Sequence, residues 1–135
     1  MLDLGAAHRF ATQAADDAGR IALHHFRNKL DVDYKDDRSP VTIADRTIES
    51  FLRARIAEEY PDHGILGEEE APSNTDRKHV WVIDPIDGTK SFVTGHPLFG
   101  GLMGLLDEGV PCLGQIDMPV LCERYFAAGD QPTTL

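Results

Sequence analysis

The residues best suited to chemistry stand in one short run, Asp84-Pro85-Ile86-Asp87-Gly88-Thr89. It follows the wholly apolar stretch Val80-Trp81-Val82-Ile83. A buried strand therefore ends in one carboxylate and, after a turn stiffened by Pro85, presents a second. Gly88 lets the backbone approach a ligand closely, and Thr89 stands where a helix can start, with backbone N–H groups suited to an anion. Hard oxygen ligands beside an anion site suit Mg²⁺, which takes carboxylates together with phosphate and water. Taken alone, the same run also fits a capped strand-to-helix turn whose acids are merely solvated.

Upstream, Glu68 and Glu69 follow another brief apolar run, Gly64-Ile65-Leu66-Gly67, and could reach the same rim. Two carboxylates about 4 Å apart repel by about 4 kcal/mol at an effective dielectric of about 20. Gathering three or four is costly unless a cation sits between them. In isolation, Glu68-Glu69-Glu70 fits a solvated loop, Asp45 a helix-start residue and Lys35 a surface lysine.

The elements that must position these groups follow from periodicity. Leu4, Ala7, Phe10, Ala11, Ala14, Ala18, Ile21, Ala22 and Phe26 form the stripe of one amphipathic helix from about Asp3 to Asn28. Asp31 to Tyr34 alternates as a short strand, and Lys35 to Pro40 is a polar turn in which Ser39 is biased away from helix by Pro40. A second helix starts near Val41 or Thr42 and is closed by Pro61, with Ala44, Ile48, Phe51, Leu52 and Ile56 inward. Thr42 can cap it, and Asp45 approximates a capping box with a side chain one methylene short. Residues 71–78 form a polar loop. The stretches 98–106, 110–118 and 122–127 complete a meander, with Asp107-Glu108-Gly109 as a hairpin turn. Two amphipathic helices on a largely antiparallel sheet make an α+β layer.

Composition bounds the class. The 13 basic and 23 acidic residues give a formal net charge of −10, which argues against a nucleic-acid binder. No apolar run approaches the roughly 20 residues that span a bilayer. Met1-Leu2-Asp3-Leu4 shows no secretory pattern, so a cytoplasmic location is expected. Cys112 and Cys122 match no metal or redox spacing and are expected as reduced, strand-borne thiols. The six His are scattered and offer no ligand constellation.

The run from Trp81 to Thr89 resembles the metal-binding signature of the inositol monophosphatase superfamily. Gly67-Glu68-Glu69 and Ser39-Pro40-Val41-Thr42-Ile43-Ala44-Asp45 match its two upstream motifs, in order. The resemblance implies that Asp84 bridges two Mg²⁺ ions (Mn²⁺ as a substitute), with Glu68 and the Ile86 carbonyl completing the first site and Asp87 serving the second. Glu69 would stand near a weaker third ion, and Lys35 at the pocket edge. Thr89, oriented by Asp45, would position the attacking water with Glu68, and the Gly88 and Thr89 amides would hold the phosphate. The implied chemistry is in-line attack of a metal-activated water on a small phosphorylated metabolite.

Lys90-Ser91-Phe92, His96-Pro97-Leu98-Phe99-Gly100, Gly109-Val110-Pro111 and Ile116-Asp117-Met118-Pro119-Val120 with Glu123-Arg124 resemble the histidinol-phosphate phosphatase branch. Inositol phosphates and phosphoadenosine phosphates are the alternative substrates. The family's chains continue to a Trp-Asp motif that completes the second metal site. Residues 1–135 are therefore expected to be the amino-terminal, metal-binding half of the layered αβαβα sugar-phosphatase fold, with the carboxyl-terminal α/β domain absent. The implied parent is homodimeric, and the isolated chain is expected to have little or no phosphatase activity. Two readings from other classes are a non-catalytic metal- or phosphate-binding fragment and an interaction module that pairs through its open sheet edge.

Overall fold

A computed structural model of the chain describes residues 1–28, 32–35 and 40–135. The element order is α1 (Leu4–His25), β1 (Val32–Tyr34), β2 (Pro40–Thr42), α2 (Ile43–Glu59), β3 (Gly64–Leu66), β4 (His79–Asp87), α3 (Thr89–Val93), β5 (Gly100–Asp107), β6 (Val110–Met118) and β7 (Glu123–Ala128). Two helices lie on one face of a five-stranded sheet of order β3-β4-β5-β6-β7. Among the described residues, only the β3–β4 pair of this sheet is parallel. This is the expected α+β layer. No helix is long and apolar enough to cross a membrane among the described residues.

Helix α1 begins where Asp3 accepts the Ala6 N–H at 3.0 Å, and its inward stripe is Ala7, Phe10, Ala11, Ala14, Ala15 and Ala22. It stops short of the expected Asn28 because Phe26 turns extended (φ −62°, ψ 129°). Its ring then meets Phe92 and Phe99, at centroid distances of 5.9 and 5.1 Å. Small side chains along α1 let it lie close to the sheet, where Trp81 is fully buried between Phe10 and Tyr60.

Helix α2 starts with a complete capping box. Asp45 is long enough after all, because its Oδ2 accepts the Thr42 N–H at 3.0 Å while Thr42 Oγ1 caps the first turn. Thr42→Ala is expected to cost about 1–2 kcal/mol, as for other lost caps. A lowered urea midpoint with unchanged slope checks this. The expected inward residues Ala44, Ile48, Leu52 and Ile56 are buried, and Phe51 packs partly. Asp45 and Glu49 are buried with them, which the apolar pattern does not signal.

Several expected boundaries need correction. Pro40, expected to end the polar turn, and Val41–Thr42, expected at the start of the helix, form a strand instead, paired with β1 through Val32↔Thr42. Asp31, Ser39 and most of the expected polar turn lie outside the described residues. The run at Gly64–Leu66 is a strand rather than a bare connection, and it pairs with Val80–Val82. Strand β4 does not end at Asp84 but continues to Asp87 through a register shift against β5. Pro85 is tolerated because β3 pairs only as far as Val82, so no ladder bond is lost on that side. Glu108 and Gly109 both have positive φ (49° and 81°), as the tight hairpin turn requires. Cys122 precedes β7 in a turn rather than on the strand, and both cysteines are free. The sheet face away from the helices carries an open apolar groove lined by residues that include Val82, Leu102, Ile116 and Tyr125.

Candidate active site

Strand β4, the loop after β3, the residue that follows β1 and the start of α3 converge on one open cleft of about 270 Å³. Lys35, Glu68, Glu69, Asp84, Ile86, Asp87, Gly88 and Thr89 line it. These are all the site residues expected from the sequence except Asp45, which lies beneath Thr89. Lys90 also lines the cleft. A more enclosed void between α1 and the sheet, about 20 Å³, has room for a water at most.

Thr89 is held from below. Its hydroxyl lies 3.0 Å from Asp45 Oδ1 and 3.0 Å from the Ile86 carbonyl oxygen. Asp45 is fully buried, and its second oxygen accepts from the Thr42 N–H at 3.0 Å and the Thr42 hydroxyl at 2.5 Å. Gly88 turns the chain into α3 with φ 84°. A Cβ at that position would meet the Leu98 carbonyl at 3.2 Å, so the turn and the tight approach both need glycine.

The acids crowd one another. Burial pushes Asp84 up from 3.8 to about 6, and the charges of Glu68, Asp87, Glu69 and Asp45 add to the shift. Burial also raises Glu69, against the lowering effect of Lys35. For Lys35, burial works to lower the ammonium pKa, but Glu69 and Glu68 outweigh it and leave it raised. Its Nζ is 3.0 Å from Glu69 Oε2 and 3.4 Å from Glu68 Oε1. Lys35 thus lines the cleft, as expected, and within it acts as a counter-ion to Glu69 and Glu68.

The donor set suits a hard divalent ion: carboxylates, one backbone carbonyl and a cleft open to water. The uncompensated field at Asp84 is of the sign such an ion relieves. As the side chains stand, no three Asp, Glu, His or Cys groups converge closely enough to hold an ion among the described residues. Glu68 is turned toward Lys35 and is 57% exposed, so it is free to swing inward.

One buried group escaped the sequence reading. Glu49 of α2 accepts backbone N–H groups from Glu68, Glu69 and Glu70. The available signal was its position four residues after Asp45, on the same helix face.

Residues 4–135 match the Inositol monophosphatase family. The chain is 46% identical over 123 residues to the bifunctional phosphatase IMPL2 of Arabidopsis thaliana, covering 90% of this chain and 36% of that one. It is 45% identical over 122 residues to the histidinol-phosphatase of Chlorobaculum parvum, covering 88% and 46%. It therefore spans less than half the length of these curated relatives. An inositol monophosphatase structure from Zymomonas mobilis superposes with a TM-score of 0.83 at 41% identity, over 99% of this chain and 51% of that one. A match that runs from the first residue of α1 through the whole five-stranded sheet, on a fold shared with a solved relative, makes this chain a member of the inositol monophosphatase family.

Proposed function

We propose that the protein carrying this chain is a Mg²⁺-dependent phosphomonoesterase, with Mn²⁺ as a substitute ion and L-histidinol phosphate as its substrate. The observation that carries the reading is the cleft itself. It gathers Glu68, Glu69, Asp84, Asp87 and the Ile86 carbonyl beside a hydroxyl, Thr89, seated on a buried carboxylate. The 45% identity to a histidinol-phosphatase supports the choice of substrate.

In this reading Glu68, Asp84 and the Ile86 carbonyl would hold a first ion, Asp84 and Asp87 would serve a second, and Glu69 a weaker third. When bound, the ions supply Lewis acidity, lowering the pKa of water and neutralising charge on the phosphate and the leaving oxygen. Asp45 takes the Thr89 hydroxyl proton in a hydrogen bond, which leaves the Thr89 lone pairs facing the cleft. A water there would donate to Thr89 and to Glu68, leaving its oxygen lone pair for attack on phosphorus. The Gly88 and Thr89 amides hold phosphate oxygens as two local donors, since α3 has only 5 residues and a correspondingly small dipole.

Release of inorganic phosphate tests the reading. The expected kcat/KM for histidinol phosphate exceeds that for inositol monophosphate by about tenfold or more, as polar contacts to one leaving group and not the other can provide. A ratio at or below one moves the substrate to another branch. Activity that survives exhaustive EDTA treatment removes the metal from the reaction.

A further inference from the structure

We propose that Glu49 is the positioning residue for the Glu68–Glu69 ligand loop, and that α2 sets the spacing between the two halves of the site. The inference rests on the reading of Glu68 and Glu69 as ion ligands and adds a residue to which that reading gives no role.

Glu49 has 0% exposure. Its Oε1 accepts the Glu68 N–H at 2.8 Å and the Glu69 N–H at 2.7 Å, and its Oε2 accepts the Glu70 N–H at 2.7 Å. Arg53, one turn along α2, donates Nε–H to Glu49 Oε2 at 3.0 Å. The same guanidinium donates from Nη2 to the Glu70 carbonyl at 3.0 Å. Consecutive backbone N–H groups thus wrap an internal carboxylate, and Arg53 closes the ring on the far side.

Gly67 shows how closely the loop is drawn down. A Cβ there would lie 2.7 Å from both carboxylate oxygens of Glu49. A buried carboxylate is expensive unless its lone pairs are satisfied, and an apolar residue could fill the same space at less cost. What a carboxylate adds is direction. Charge-assisted bonds fix each of three peptide planes, and so fix where the Glu68 and Glu69 side chains leave the backbone.

The same helix face carries Asp45, which holds Thr89. Asp45 and Glu49 are one turn apart on a rigid element. Helix α2 therefore places the loop ligands against the Asp84–Thr89 segment.

Mn²⁺ titration of the folded protein, followed by the loss of the free-ion electron paramagnetic resonance signal, tests the proposal. In Glu49→Gln one acceptor oxygen becomes a donor facing Arg53 and the Glu70 N–H. Its Mn²⁺ affinity is expected to fall by about 10–100-fold, the usual range for removing a partner that orients metal ligands. The amide resonances of Glu68, Glu69 and Glu70, recorded without metal, are expected to move upfield together and to exchange faster. If Glu49→Gln does not fold, Gly67→Ala leaves the carboxylate in place but lifts the loop, and the same loss of affinity is expected. Unchanged Mn²⁺ affinity in a folded variant would reduce Glu49 to a structural anchor and overturn the proposal. Wild-type protein that binds Mn²⁺ no better than Glu68→Gln would instead remove the ion-site reading beneath it.

Discussion

Replacing Asp84 with Asn in the whole protein that carries this chain is expected to lower phosphate release by about 10³-fold or more, and to make the metal-free protein more stable at neutral pH. The first effect follows from the place of Asp84 at the centre of the acid cluster, where the proposed mechanism has it shared by two ions. Removing one electrostatic stabiliser of a transition state commonly costs about 10²–10³ in rate, and a shared ligand weakens two. The second effect follows from the raised pKa. Burial and the charges of Glu68, Asp87, Glu69 and Asp45 push Asp84 to about 6 from 3.8. The folded state therefore binds this proton more tightly than the unfolded state. The stability linked to it is fully present below 3.8 and lost as pH rises through about 6. The asparagine carries no such charge.

After discounting for partial solvent screening, the expected gain at pH 7.5 is about 1–2 kcal/mol. It should shrink toward zero at pH 4. Millimolar Mg²⁺ should reverse the order, since an ion at a hundred times its Kd adds about 2.7 kcal/mol to a protein that holds it. Denaturant melts of both proteins at the two pH values, with and without the ion, check all of this. Equal stabilisation of wild type and Asp84→Asn by Mg²⁺ would sink the ion site.

The Asp84–Thr89 segment was legible because its signals are local. An apolar run, a proline, two acids and a glycine lie within a few residues, and the strand and turn they specify present the acids without help from elsewhere. The helices were legible for the same reason, through their periodic stripes. What remained hidden depends on partners distant in sequence. Glu49 looks like a solvated acid until the loop at Glu68–Glu70 folds over it, and then it is wholly buried. Strand β3 could not be seen as a strand because its partner, β4, pairs with it in parallel across the loop 71–78. Lys35 lines the cleft where it was expected, while its ion pairs with Glu68 and Glu69 depend on a tertiary contact that the sequence does not signal. The net charge of −10 gave no hint that one cation is held inside the acid cluster.

In the whole protein that carries this chain, Thr89→Val is expected to cut kcat by about 10²–10³-fold while leaving KM and Mn²⁺ affinity within a few-fold of wild type. Valine keeps the branched shape and removes only the hydroxyl, so the start of α3 and the Gly88 turn should persist. The hydroxyl has a single proton and two acceptors at equal distance, Asp45 Oδ1 and the Ile86 carbonyl, each 3.0 Å away. The carboxylate is the stronger acceptor, and Asp45 is locked in place by the bonds from Thr42 to its other oxygen. The proton therefore goes down to Asp45, and the oxygen faces the cleft as an acceptor. A water that donates to it is oriented and made more nucleophilic, a contribution of the size usual for positioned proton acceptors, about 10²–10⁴. In the proposed mechanism this water is aligned only during attack, so the loss should fall on kcat rather than KM. Thr89→Ser, which retains the hydroxyl, should recover most of the rate. Steady-state kinetics on both variants decide the matter. Turnover by Thr89→Val within a few-fold of wild type, or no recovery in Thr89→Ser, would show that the hydroxyl caps the turn and takes no part in aiming water.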